Sequence, residues 1–137
     1  MDNTMALLLS DTYKQCHDRM YPKGLTKLVS YWVPRKSMLE NQKEMVFFGL
    51  QAFIKEYLMG YFQKNFFDLS EDEMLTLYTD SMDVQIGRDN YDLDKIVELH
   101  RLGYLPLEIR ALPEGTLVPM GVPCIEITNT NDKFAWL

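Results

Sequence analysis

The stretch that decides the fold is Leu105-Pro-Leu-Glu-Ile-Arg-Ala-Leu-Pro-Glu-Gly-Thr-Leu-Val-Pro-Met-Gly-Val-Pro-Cys-Ile-Glu-Ile-Thr-Asn-Thr130. Leu107, Ile109 and Ala111 alternate with Glu108 and Arg110, the period of two that gives a strand one apolar and one wet face. Pro113-Glu114-Gly115 is turn chemistry: a fixed φ followed by a residue that tolerates positive φ. Thr116 to Val118 extends again, Met120-Gly121 interrupts, and Cys124 to Thr128 alternates around Ile125 and Ile127. The spacing predicts a small antiparallel sheet of three short strands. The earlier helices need an apolar surface, and this sheet is the expected one.

Upstream, Asp11 to Pro22 reads as a short helix opened by Ser10 or Asp11 and closed by Pro22 and Gly24, with Tyr13, His17 and Met20 or Tyr21 on one face. Thr26 to Val33 is β-branched and aromatic, apolar on both faces and stopped by Pro34, as a central strand covered on two sides would be. Asn41 and Glu44 have the spacing of a capping box. They precede apolar residues at helical spacing from Val46 to about Phe62. Ser70 with Glu73 opens another helix, running to roughly Met82. Asp92 opens a third, with Gly103 at its C-cap. Helix, strand, three helices and then strands is an α+β order. Asp132 reads as an N-cap for Phe134 to Leu137. That helix would stop within its first turn, which cannot sustain itself, so the expectation is one domain, residues 1–137, cut from a longer chain.

The 137 residues suffice for one domain that buries about 68% of its unfolded surface. A net charge of -6 without a dense basic run argues against nucleic acid as a main partner. Cys16 and Cys124 make no disulfide framework and fit a reducing, cytoplasmic compartment. Met5 to Leu9 is too short an apolar run for a signal or membrane segment. There is no Gly-rich phosphate loop, metal-ligand spacing or Ser/His/Asp set. His100 reads as a solvated helix residue, Cys16 as a small packing residue, and Glu71-Asp72-Glu73 as charge favoured by a helix N-terminus. Asp11, Tyr13, Lys14 and His17 form a dense polar and aromatic set. From the residues alone they describe either a capped helix with Tyr13 packed on the core or a binding element. Arg35 is likewise either a solvated loop cation or a phosphate ligand.

Four blocks carry a family resemblance. Asp11-Thr12-Tyr13-Lys14 with His17 and Tyr21-Pro22 resembles the opening Asp-Ser-Tyr-Lys…His…Tyr-Pro of nicotinamide phosphoribosyltransferases. Ser30-Tyr31 with Arg35 resembles the family's Ser-Tyr-Phe-Glu-x-Arg. Val46-Phe47-Phe48-Gly49-Leu50-Gln51 resembles its Val-Phe-Tyr-Gly-Leu-Gln. Leu105 to Ile109, Pro113-Glu114-Gly115, Asn129-Thr130 and Trp136-Leu137 follow in the family's order and approximate spacing. Residues 64–91 match no feature of it. Thr12 stands where the family usually has Ser, Cys16 where Ser or Thr is common, and Trp32-Val33-Pro34 replaces the residues before the arginine.

The resemblance implies the N-terminal domain of a type II phosphoribosyltransferase, α+β. The whole enzyme joins nicotinamide to phosphoribosyl pyrophosphate with Mg, releasing pyrophosphate, and works as a homodimer whose sites lie between subunits. It implies that Tyr13 stacks on the pyridine ring, that Asp11 lies near the carboxamide, and that Arg35 reaches the sugar phosphates. No catalytic residue and no metal ligand falls in this chain, since the barrel and its acidic and histidine residues would follow Leu137. Alone, the chain is expected to be inactive and to bind no cofactor. A nicotinate phosphoribosyltransferase, or a non-catalytic dimerisation module, are the alternatives.

Overall fold

Two small antiparallel sheets divide the predicted strands differently from the simplest expectation. The structure, a computed structural model, describes residues 4–88 and 90–137. These residues fall into two compact units. One takes the described residues up to Lys23 with Phe53–Leu105, and the other takes Gly24–Ala52 with Pro106–Leu137.

In the second unit the strands are β1 (Val29–Trp32), β2 (Glu44–Val46), β3 (Leu107–Ala111), β4 (Leu117–Pro119) and β5 (Ile125–Asn129). They form a three-stranded antiparallel sheet in the order β1-β5-β3 and a separate pair, β2-β4. The expected strand at 107–111 pairs with that at 125–129, Ile109 opposite Ile127. The middle strand instead leaves that sheet for β2, Val118 opposite Met45. The reason is local. Phe47 and Val118 are buried beside Cys124, with Met45, Leu50 and Ile125 packed around them. Pairing β4 with β2 brings these groups into one small core.

Three further expectations are corrected here. The segment around Thr26 to Val33 is an edge strand, and all four β1 residues are exposed. Its two-sided apolar pattern marks side chains that β5 leaves uncovered. Asn41 does not cap a helix: it adopts positive φ in a turn before β2, and the helix expected from Val46 starts at Leu50. Its first turn is capped instead by Glu114, whose Oε1 accepts from the Gln51 N–H at 2.9 Å. The final cap is Asn131, one residue before Asp132. Its side chain accepts from the Lys133 N–H and opens a short 3-10 turn over Asp132–Phe134.

The helix beginning at Leu50–Phe53, α1, continues with i→i+5 hydrogen bonding over Ile54–Tyr61 and Gln63–Phe67. Such π geometry is uncommon at this length. Gly60 accommodates it, because a Cβ there would stand 3.2 Å from the Lys55 carbonyl oxygen. Asn65 leaves helical φ/ψ altogether, and its Nδ2 donates to the Tyr61 carbonyl at 3.1 Å, replacing the backbone bond.

The helices of the first unit carry their own buried side chains. In α2 (Glu71–Gln85) Met74, Tyr78 and Met82 recur every four residues and are buried, and in α3 (Leu93–Leu102) Ile96 and Leu99 are buried. Both caps match expectation. Ser70 Oγ accepts from the Glu73 N–H at 3.3 Å, Asp92 accepts from the Asp94 N–H, and Gly103 closes α3 at φ 79°. Desolvation, with the Asp18 carboxylate second, pushes the buried Tyr78 phenol up to about 12. Ser70→Ala is expected to cost about 1 kcal/mol in urea unfolding, the usual worth of an N-cap. A loss below about 0.3 kcal/mol would mean that solvent serves the α2 N–H groups equally well.

Candidate functional site

A nine-residue 3-10 helix, Thr12–Met20, carries the first two candidate residues. Asp11 sits at its N-cap position, yet its side chain accepts no capping hydrogen bond. This corrects the expectation that Ser10 or Asp11 caps the segment through its side chain. The carboxylate is exposed and, among the described residues, has no hydrogen-bond or ionic partner. Two residues on, Tyr13 is 56% exposed rather than packed on a core. Its ring meets the His17 ring at 5.2 Å between centroids, tilted by 55°. The Lys14 ammonium lies 5.6 Å from the Tyr13 centroid, within cation–π range. Cys16 is half-buried, with its Sγ 3.5 Å from the Tyr13 carbonyl oxygen.

Arg35 belongs to the other unit. The chain leaves β1 through buried Pro34, whose carbonyl accepts from the Gly121 N–H at 2.7 Å, and Arg35 follows exposed to solvent. Pro34 thus fixes the backbone immediately before the arginine. Among the described residues the guanidinium has no carboxylate partner, so its five donors are available to a ligand.

Three features go beyond the sequence reading. His100 is not simply solvated: its Nε2 lies 2.9 Å from the Leu69 carbonyl oxygen, and its ring stands edge-on to buried Phe66 at 5.4 Å. Only the aromatic density of Phe62, Phe66 and Phe67 hinted at this. Across β1, β5 and β3, Tyr31 faces Glu126, which faces Arg110. A hydrogen bond to Glu126 and that residue's charge raise the Tyr31 phenol above its ordinary value. A cavity of about 380 Å³ opens between Asp18, Tyr91, Asp92 and Lys95 in the first unit.

Among the described residues, no group of three or more His, Cys, Asp and Glu side chains is placed to hold a metal. None of the helices there is long and apolar enough to cross a membrane. The described residues offer instead an exposed tyrosine, an exposed carboxylate two residues before it in the chain, and an exposed guanidinium in the other unit. These suit a flat polar ring and an anion.

A nicotinamide phosphoribosyltransferase of Acinetobacter baylyi is 39% identical over 132 residues, 93% of this chain and 26% of that protein. One from Xanthomonas campestris pv. campestris is 31% identical over 132 residues, 96% of this chain and 26% of that protein. The chain therefore spans about a quarter of the length of these relatives. Human nicotinic acid phosphoribosyltransferase shares the fold, with a TM-score of 0.57 at 20% identity over 89% of this chain and 22% of that one. The family model for the N-terminal domain of nicotinamide phosphoribosyltransferase matches residues 5–109, and the chain belongs to that family.

Proposed function

We propose that residues 1–137 form the N-terminal domain of a longer, cytoplasmic, homodimeric enzyme that transfers phosphoribosyl from phosphoribosyl pyrophosphate to nicotinamide. The products are nicotinamide mononucleotide and pyrophosphate, a step of NAD salvage. The observation that carries the reading is the pairing of Asp11 and Tyr13. A carboxylate at a cap position is left unused by the helix it opens, and two residues on in the chain a tyrosine is more than half exposed.

In this reading Tyr13 stacks on the pyridine ring, a flat face-to-face contact worth about 0.5–1.5 kcal/mol beyond area burial. Asp11 accepts from the carboxamide N–H. Arg35 binds phosphate oxygens in pairs through its planar fork, which lysine cannot do. Mg accompanies the sugar pyrophosphate. It helps stabilise negative charge on the leaving group, and no residue of this chain is assigned to it. Exposed Val29, Tyr31 and Trp32 on β1 support a partner surface, since apolar side chains clustered on one strand are usually covered in an assembly.

The test is a substrate comparison on the longer enzyme. Nicotinamide mononucleotide should form from nicotinamide in clear preference to product from nicotinate. Preference for nicotinate would move the chain to that sister activity, and no product from either base would make it a non-catalytic dimerisation module. Arg35→Ala should raise the KM for phosphoribosyl pyrophosphate roughly tenfold or more, the loss of a charge-assisted hydrogen bond. An unchanged KM would leave Arg35 a solvated cation.

A further inference from the structure

A nine-residue 3-10 helix needs an explanation, because runs beyond three or four residues are uncommon and none of its side chains is buried. Neither intrinsic preference nor apolar docking accounts for it. Polar contacts do. Thr12 Oγ1 donates to Gln85 Oε1 of α2 at 2.9 Å, and the Gln85 Nε2 is turned the other way, donating to Ser81 Oγ at 2.7 Å. Gln15 Nε2 donates to the Leu7 carbonyl at 2.7 Å and to Ser10 Oγ at 2.6 Å. Asp18 meets the Lys95 ammonium of α3 at 2.5 Å, and its side chain is only 14% exposed.

The three pinned residues are spaced by three, which is the period of a 3-10 helix and puts them on one edge. Wound as an α-helix at about 100° per residue, Thr12 and Asp18 would diverge by about 120° and could not both reach their partners. We propose that the Thr12–Gln15–Asp18 seam is a positioning device. Thr12 and Asp18 hold the segment in 3-10 form against α2 and α3, Gln15 ties it to the residues just before it, and together they fix where Asp11 and Tyr13 stand for a flat heteroaromatic base. The last clause rests on the binding roles proposed above, whereas the seam itself does not. The seam also gives a role to Gln85, in the stretch that matched no family feature.

Hydrogen exchange on this chain without ligand tests the seam. In Asp18→Asn, and separately in Thr12→Val, amides of residues 14–21 should exchange about tenfold faster while those inside α2 and α3 stay within about twofold. Unchanged rates at 14–21 in both variants, or acceleration shared equally by α2 and α3, would overturn it. In the longer enzyme the same variants should raise the nicotinamide KM severalfold with kcat nearly unchanged. Faster exchange with an unmoved KM, while Tyr13→Ala is impaired, would refute the positioning role. If Tyr13→Ala is itself silent, the base assignment is what fails.

Discussion

Replacing Tyr13 by alanine in the longer enzyme is expected to lower kcat/KM for nicotinamide by about tenfold or more. Stacking alone is worth about 0.5–1.5 kcal/mol, and the buried area of the covered ring adds to it. The backbone should tolerate the change, because Tyr13 is 56% exposed and its ring's aromatic and cationic neighbours among the described residues are His17 and the Lys14 ammonium. Tyr13→Phe keeps the face and should retain most of the activity. The effect should fall on nicotinamide and leave the KM for phosphoribosyl pyrophosphate nearly unmoved, which separates a lost ring contact from general damage. Wild-type kinetics in a folded Tyr13→Ala enzyme would remove Tyr13 from the site.

The Asp11–Tyr13 part of the candidate site could be proposed from the sequence because it is local, whereas Arg35 belongs to another unit. Asp11, Tyr13 and His17 lie within one turn-rich segment, and the order of four short blocks carried the family. Helix caps were equally local, and Ser70, Asp92 and Gly103 stand where their chemistry put them. What escaped was set by non-local pairing. Nothing in Thr116 to Val118 says that it pairs with Glu44–Val46 rather than with its sequence neighbours. That choice follows from where Phe47 and Cys124 are buried. Asn41 and Glu44 have a capping-box spacing, but a positive φ at Asn41 and the β2-β4 ladder use the same residues as turn and strand. The 3-10 winding of Thr12–Met20 is likewise invisible in propensities, since it comes from partners at Gln85 and Lys95.

The largest stability effect is expected at Phe66, whose side chain is completely buried. Its ring stands edge-on to Phe67 at 4.9 Å and to His100 at 5.4 Å, and it meets Phe62 at 6.3 Å. Phe66→Ala removes the transfer free energy of a large ring and leaves a cavity, together about 3–5 kcal/mol. The loss should sit at the upper end. The residue follows Asn65, where the backbone is already held out of helical form by the side-chain bond to Tyr61, so little collapse is available. His100 would keep its hydrogen bond to the Leu69 carbonyl but lose an aromatic wall. Phe66→Leu keeps most of the volume and should cost clearly less. Urea unfolding followed by the signal of the unit that holds Phe66 measures the difference. A Phe66→Ala loss under about 1.5 kcal/mol would mean that this aromatic cluster is not the centre of that unit's packing.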